Sequence, residues 1–235
     1  MNILVINGTL RKGSTWHIRQ LLLEQLSALT PSTIKEISLP TDLPGFCAGC
    51  FQCIVKGEQF CPHHERVSAI EQAIIEADCI IMTSPVYSYD VSAPLKNLLD
   101  HFAYRWMSHR PHPSMFKKVA ITITTAAGAG TKHTTKTMRE SLEFWGVAQV
   151  YSLRFNVAAM SYEDVSEKIK KRININVQRT AKKVITEQSK PKLKVSIKPR
   201  LLFKVMRLMH RSNTWNLTDR NHWDQLGWLG KGRPY

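Results

Sequence analysis

Five short strand-type segments, four of them largely apolar, alternate with helix-type patterns along most of this 235-residue chain. We predict strands at residues 2–6, 33–38, 79–83, 118–124 and 147–155. Between the segments, apolar residues such as Ile18, Leu22 and Leu26 recur at the spacing of a helix with one buried face. Repeated strand–helix alternation of this kind predicts an α/β fold, a parallel sheet with helices on both faces.

Chain connectivity narrows the order of the five predicted strands. Crossovers between parallel strands are right-handed, and the order 2-1-3-4-5 of a doubly wound, flavodoxin-like sheet satisfies that rule. We therefore expect a flavodoxin-like domain over residues 1–187 and a basic, aromatic-rich helical extension over residues 188–235. Ligands of such sheets bind beyond the carboxyl ends of the strands, so the loops after strands 1, 3 and 4 are the candidate site.

The loop Asn7–Thr15, between the first strand and the first helix, is small and polar and contains one arginine. Free N–H groups converge where such a loop opens a helix, and they favour an anion, most often a phosphate. The motif G-x-x-x-x-G-K-[ST] does not fit, because Ser14 stands in place of its lysine, and the motif G-x-G-x-x-G fails at Leu10. A phosphate monoester suits the remaining donors, while a βα turn with solvated polar residues is the competing interpretation. The candidate phosphate ligands are Thr9, Arg11, Ser14 and Thr15.

Three segments of the chain form a composite motif over about residues 1–155. They are Gly8-Thr9-x-Arg11-x-x-Ser14-Thr15, Ser84-Pro-Val-Tyr87 followed by Ala93-Pro-Leu-Lys-Asn-Leu-Leu-Asp100, and the loop Thr125–Gly130. Together they resemble the NAD(P)H-dependent FMN reductase family of flavodoxin-like flavoproteins. The resemblance implies FMN as the cofactor, with its phosphate on the four residues named above. It implies a flavin ring against Pro85, Val86 and Tyr87 and near Thr125, Ala126 and Gly128.

The same resemblance implies how such a protein works. NAD(P)H would be a transient hydride donor, the acceptor would be a small molecule such as a quinone or a free flavin, and the protein would be a homodimer. Because the flavin carries the chemistry, no side chain is required as an acid or base, and no catalytic residue is predicted. One departure is His101, since members of this family often have an arginine after the aspartate at that point.

Four of the five cysteines lie close together in the sequence, at Cys47, Cys50, Cys53 and Cys61. Four thiolates at this spacing suit a [4Fe–4S] cluster, and the pattern resembles the iron–sulfur flavoproteins, in which the cluster accepts electrons from reduced FMN. Relatives without a cluster often keep part of the pattern, so unligated thiols remain open, and so does zinc. Pairwise disulfides would need an oxidising compartment, which nothing else in the sequence indicates. His63 and His64 beside Cys61 are read as loop histidines.

The net charge of +15 is concentrated at the C-terminal end, with +3 over residues 1–159 and +12 over residues 160–235. No nucleic-acid-binding motif accompanies the charge, so nucleic acid is not predicted as a partner. Residues 182–198 are predicted to be a charged linker. We expect the aromatic tail to fold back on protein, either its own core or a second subunit, where it could gate the flavin. Its aromatic residues are Trp215, Trp223, Trp228 and Tyr235.

A second helix is predicted in the extension, over residues 199–211, with one face that is mostly apolar. We expect that face to pack on the chain's own dimer, in preference to a peripheral contact with an anionic membrane. The residues of the face are Leu201, Leu202, Val205, Leu208 and Met209.

Three functions remain in order of preference. The first is an FMN-dependent NAD(P)H oxidoreductase with a small-molecule acceptor. The second is an electron carrier that couples FMN and a [4Fe–4S] cluster to a ferredoxin-like partner, and the third is a non-catalytic module that binds membrane or nucleic acid through its basic tail. No secretory leader pattern is present at the start of the sequence, and we expect a cytoplasmic location.

Overall fold

A five-stranded, all-parallel sheet of order β2-β1-β3-β4-β5 forms the centre of the computed structural model, which describes residues Met1–Tyr235. The predicted fold class and strand order are confirmed. The strands are β1 (Asn2–Asn7), β2 (Thr33–Ser38), β3 (Cys79–Thr83), β4 (Val119–Ala126) and β5 (Gln149–Asn156).

Helices cover both faces of the sheet, and each face has its own apolar cluster. Alternate residues of a strand point to opposite faces, so Ile3 and Val5 join one cluster while Leu4 and Ile6 join the other. The central strands β1, β3 and β4 are buried on both faces and read as continuous apolar runs, whereas the edge strands β2 and β5 are partly exposed. One face is covered by α1 (Ser14–Leu29) and α6 (Glu167–Gln188), and the other by α3 (His64–Glu76), α4 (Ala93–His101) and α5 (Thr131–Phe144).

Two connections are long and mostly irregular. The segment between β2 and α3 contains the short helix α2 (Gln52–Val55) and a 3-10 turn at Glu58–Phe60. The segment between α4 and β4 contains 3-10 turns at Ala103–Ser108 and Pro113–Lys117.

The start of α1 leaves backbone donors without side-chain caps. Ser14 and Thr15 lie inside its first turn, and Gly13 occupies the N-cap without a side-chain hydrogen bond. The first amide of α1 to find a backbone acceptor is that of His17, which donates to the carbonyl of Gly13 at 3.1 Å. The amides that precede it are therefore left for another acceptor.

The C-terminal extension folds back on the domain through a third apolar cluster. Phe116 and Ala148 of the domain contact residues of α7 (Ile197–Arg211) and of the segment that includes α8 (Leu217–Gln225). Trp223 and Trp228 are buried there as expected, whereas Trp215 is exposed on the single chain. The linker is shorter than predicted, because α6 continues to Gln188. No helix is both long and apolar enough to cross a bilayer.

Helix α7 packs on its own domain through a face other than the one expected to meet a second subunit, and most of that expected face is exposed on the single chain. The helix contacts the domain through Pro199, Phe203, Met206 and His210, while Leu201, Val205, Leu208 and Met209 are exposed on the opposite side. The reason is that α7 has two apolar stripes, and the aromatic ring of Phe203 selects the inner one by inserting against Phe116 and Trp223.

Candidate functional site

A groove at the carboxyl edge of the sheet brings together the loops that follow β1, β3, β4 and β5. It encloses a cavity of about 150 Å³. Its lining comprises Thr9, Arg11, Gly13, Ser14, Thr15, Pro85, Val86, Tyr87, Thr125, Ala126, Ala127, Val157, Ala159 and Met160.

One end of the groove is built to receive an anion. Ser14 and Thr15 are buried at the start of α1, where the free backbone amides and the helix field favour negative charge. The hydroxyl of Thr15 lies 2.6 Å from that of Thr125, which ties the first loop to the end of β4. Arg11 spans the groove and donates from Nη2 to the carbonyl of Met160 at 2.6 Å, so its guanidinium retains further donors.

The other end of the groove is held by the loop after β3. The backbone N–H of Val86 donates to the carbonyl of Thr125 at 2.9 Å, and Tyr87 and Asp90 exchange two backbone hydrogen bonds across a tight turn. The Tyr87 hydroxyl lies 3.4 Å from Oγ1 of Thr9, so the two loops meet at the mouth of the groove. Pro85, Val86 and Tyr87 thus form a fixed, partly apolar wall.

The structure places nearly all of the predicted cofactor residues around this one groove. The exception is Gly128, whose place in the lining is taken by Ala127; the Gly128 carbonyl accepts a hydrogen bond from the Asn156 side chain at 2.6 Å. The sequence analysis missed the segment after β5, which contributes Val157, Ala159 and Met160. A signal was available, because the carboxyl end of β5 lies on the same edge of a parallel sheet as the other three loops.

The four clustered cysteines line a second, smaller cavity of about 30 Å³ together with Pro62, His63 and His101. All four are free thiols; Cys47 and Cys50 are exposed, and Cys53 and Cys61 are half-buried. Burial, and then the neighbouring thiols, raise the pKa of Cys53 to about 11. Four thiols that line one cavity are a donor set for a metal, but they are not gathered as ligands in this structure, since no three of the sulfurs lie within 4.8 Å of one another.

A histidine pair that the sequence analysis missed borders this cysteine cavity. Nδ1 of His101 donates to the carbonyl of Asn97 at 2.8 Å, which leaves Nε2 of His101 to accept from Nδ1 of His63, also at 2.8 Å. Burial lowers the pKa of His101 and keeps its ring neutral, as this pairing requires. His63 is therefore a fixed component of the cavity rather than a plain loop residue.

The buried guanidinium of Arg110 joins the cysteine segment to the C-terminal extension. It donates to the carbonyls of Cys53 and Ile54 and forms an ion pair with Asp219 of α8. Asp219 is fully buried and also accepts from His109 Nδ1 at 2.6 Å. His109, His210 and Asp219 offer ligand atoms within 4.8 Å of one another, but the guanidinium on the same carboxylate favours an ion-pair network over a metal centre.

The sheet order, the helix start with free amides and the partly apolar wall define a flavodoxin-like protein with a groove at its topological switch point. The family model described as NADPH-dependent FMN reductase matches residues 1–160. This chain belongs to that family.

The individual relatives include iron-sulfur flavoproteins and quinone reductases. An iron-sulfur flavoprotein of Archaeoglobus fulgidus is 27% identical over 126 residues, 53% of this chain and 54% of the relative. A quinone reductase of Escherichia coli is 27% identical over 130 residues, 54% of this chain and 61% of the relative. The matches thus span little more than half the length of these relatives.

Solved structures agree on the fold. An NADH:FMN oxidoreductase in its apo form superposes with a TM-score of 0.58 at 17% identity, over 85% of this chain and 98% of that one. An FMN-dependent NADH-azoreductase of Bacillus anthracis gives a TM-score of 0.56 at 17% identity, over 77% of this chain and 100% of that one.

The residues of the groove fit FMN, the cofactor that the family description names. Unpartnered amides, two hydroxyls and Arg11 stand at one end, as a terminal phosphate requires. The other end of the groove suits a planar ring. It is formed by backbone groups of the loops after β3 and β4 and by the side chains of Pro85 and Val86.

Proposed function

We propose that this chain is an FMN-dependent NAD(P)H oxidoreductase that passes electrons to a small acceptor such as a quinone or a flavin. The observation that carries the proposal is the single groove with an anion site at one end and a ring-sized, partly apolar wall at the other. The chemistry that FMN supplies when bound is hydride uptake from NAD(P)H and electron delivery to the acceptor.

The protein's own contribution is to bind and orient. The amides of the first turn of α1, the hydroxyls of Thr9, Ser14 and Thr15, and the Arg11 guanidinium hold the phosphate. Pro85, Val86 and Tyr87 set the plane of the ring, and the exposed ring of Tyr87 leaves the mouth of the groove open to donor and acceptor in turn. No side chain beyond Met160 lines the groove, so the proposed activity does not require the tail to move.

Two further features belong to the same proposal. Exposed apolar side chains adjoin the groove at Leu10, Tyr89 and Met160, which supports a homodimer in which a second subunit covers this edge. The cytoplasmic location remains a prediction.

Replacement of Arg11 tests the function directly. Loss of a charge-assisted hydrogen bond to phosphate is expected to raise the Kd of FMN about 10–100-fold in Arg11→Ala. Equilibrium dialysis of FMN against the purified chain measures the Kd, and NAD(P)H oxidation with a quinone acceptor measures the activity. A chain that binds no FMN would overturn the proposal.

Lys12→Ala is the matched control, since it removes the same charge from the next position without touching the groove lining. The Lys12 ammonium lies over the Trp16 ring instead. We expect its FMN affinity to fall by less than about threefold, because only a long-range charge is lost. Equal losses in the two variants would show that the loop contributes general charge and not a specific contact.

The cysteine cavity supports a second candidate, an electron carrier in which a [4Fe–4S] cluster exchanges electrons with FMN and a ferredoxin-like partner. Four thiols line one cavity, and relatives at 27% and 38% identity are named iron-sulfur flavoproteins. The four thiols would have to come closer together to ligate a cluster, since no three of the sulfurs lie within 4.8 Å of one another. Iron, acid-labile sulfide and zinc measured on anaerobically purified protein decide this candidate: iron with sulfide, lost in Cys53→Ser, supports it, whereas zinc or unligated thiols contradict it.

A further inference from the structure

The outer face of α7 is apolar and nothing in the chain covers it. The residues of this face, from Ile197 to Met209, are 42–81% exposed, although all are aliphatic or methionine. Trp215 and Leu217 continue the exposed apolar surface directly after the helix, at 69% and 56%. The outer face of α7 comprises Ile197, Leu201, Val205, Leu208 and Met209.

A basic strip runs along one side of this outer face. At 100° per residue, Arg200, Lys204, Arg207 and Arg211 fall between the exposed apolar face and the face packed on the domain. None of the four forms an ion pair; Arg207 and Arg211 donate only to backbone carbonyls, which leaves their charge uncompensated.

All the lysine, arginine, aspartate and glutamate residues in the sequence around the outer face are positively charged ones. Residues 189–218 contain eight lysines and arginines and no aspartate or glutamate. The charge complement of this surface is therefore a polyanion or an anionic surface.

We propose that the outer face of α7 docks the protein on an anionic phospholipid bilayer, with the helix lying in the plane of the interface. Aliphatic side chains enter the boundary between headgroups and acyl chains, the basic strip meets the anionic headgroups, and Trp215 occupies the interface that tryptophan prefers. This inference is independent of the proposed oxidoreductase activity.

Other occupants fit the surface less well. A second copy of the chain, paired through the same face about a two-fold axis, would bring two strongly basic segments together without an acidic residue between them. A nucleic acid would match the charge, but its interfaces are polar, and here the centre of the surface is aliphatic. An anionic bilayer satisfies both the apolar face and the charge.

Co-sedimentation of the full-length, FMN-supplemented chain with sucrose-loaded vesicles tests the proposal. We expect binding to phosphatidylcholine vesicles that contain about one third phosphatidylglycerol, little binding to phosphatidylcholine alone, and weakening of binding by salt. Leu201→Glu with Leu208→Glu is expected to lower the partition coefficient about 100-fold, because two aliphatic side chains no longer enter the interface. Arg200→Gln with Lys204→Gln is expected to lower it about fivefold for each charge removed.

The matched control places the same two substitutions on the opposite side of the sheet. Leu29→Glu with Ile175→Glu changes two exposed aliphatic residues of α1 and α6 and should bind vesicles as the unaltered chain does. Circular dichroism of all variants checks that each is folded.

Three results would overturn the proposal. The first is vesicle binding that survives Leu201→Glu with Leu208→Glu. The second is an unaltered chain that does not bind vesicles but forms a dimer in size-exclusion chromatography, where the same variant is a monomer. That result would assign the face to a second copy of the chain. The third is duplex DNA binding that requires Arg200 and Lys204 but not Leu201 and Leu208, without vesicle binding, which would assign the strip to nucleic acid.

Discussion

Gly8 fixes the position of the loop between β1 and α1 relative to β3. Its N–H donates to the carbonyl of Thr83 at 2.9 Å, and its carbonyl accepts from Oγ of Ser92 at 2.5 Å. A methyl group at this position would lie 2.6 Å from the Thr83 oxygen and 2.9 Å from the Ser92 hydroxyl, so the backbone would have to shift. We expect Gly8→Ala to lower the free energy of unfolding by about 1–3 kcal/mol in denaturant titrations and to weaken FMN retention.

Gly128→Ala is the control for this substitution. Gly128 has open space around the position that a methyl group would take, and its backbone is not in the left-handed region. Its free energy of unfolding should change by less than about 0.5 kcal/mol. Comparable losses at the two glycines would contradict the role assigned to close packing at Gly8.

His210 gives the stability of the extension a pH dependence. Burial lowers its pKa from 6.5 to about 4, and the charged groups that face it are Asp219, His109, His222 and Arg110. Between pH 6.5 and 4 the unfolded chain takes up a proton at His210 and the folded chain does not, so stability falls as the pH falls through that window. The contribution approaches about 1 kcal/mol per pH unit.

His210→Asn isolates this contribution, because asparagine keeps an acceptor near the Asn213 amide that His210 Nδ1 now binds. Denaturant midpoints at several pH values from 7.5 down to 5 should fall less steeply for the variant than for the unaltered chain. Parallel slopes would show that His210 is already protonated in the folded state.

At this scale, the sequence located groove residues whose positions are set locally. A loop and a helix start that the sequence itself specifies place four residues in the groove lining: Thr9, Arg11, Ser14 and Thr15. The His63–His101 pair and Met160 were missed because each depends on which distant segment lies opposite.

Helix α8 acts as a clamp on the cysteine segment. Asp219 accepts from Arg110 and His109, Thr218 donates to the carbonyl of Val55 at 2.8 Å, and the Asn216 amide donates to that of Ile54 at 3.3 Å. Asp219→Ala removes the fully buried one of the two carboxylates beside Arg110 and leaves only the more exposed Glu58, at 3.3 Å, which costs about 3 kcal/mol. We expect hydrogen exchange over residues 47–61 to accelerate more than exchange in β1 or β3.

Asp224→Ala on the same helix is the matched control for the clamp. Asp224 is exposed and its side chain makes no ion pair, so exchange over residues 47–61 should not change. Equal acceleration in both variants would show that α8 merely unfolds when its charge is altered.

The hydrophobic pattern of the sequence predicts the bounds of the strands but not the orientation of α7. The observed bounds of β2 and β3 are the predicted ones. The observed bounds of β1, β4 and β5 differ from the predicted ones by one or two residues. The orientation of α7 could not be predicted, because both of its stripes are apolar and the choice depends on Phe116 and Ala148 of the domain.

The whole chain should unfold as one unit, although the extension lies outside the family match of residues 1–160. The third apolar cluster joins Phe116 and Ala148 of the domain to Phe203, Trp223 and Trp228 of the extension. Leu193 packs against both the second and the third cluster, and Ala148 of the third is the sequence neighbour of Val147 of the first, so we expect loss of one cluster to expose the others to water. Thermal unfolding followed by tryptophan fluorescence and by far-UV circular dichroism should therefore give coincident transitions.

Cofactor binding should then raise the stability of the extension as well as that of the domain. FMN at about one hundred times its Kd adds about 2.7 kcal/mol to the unfolding free energy. For a chain of this size that corresponds to a rise in Tm of about 5–10 °C, seen equally by both probes. In Arg11→Ala the same FMN concentration gives a smaller rise, since the Kd is higher. A tryptophan transition that precedes the far-UV transition and ignores FMN would mean that residues 188–235 form a separately unfolding unit, held to the domain by the Arg110–Asp219 pair more than by the shared aromatic cluster.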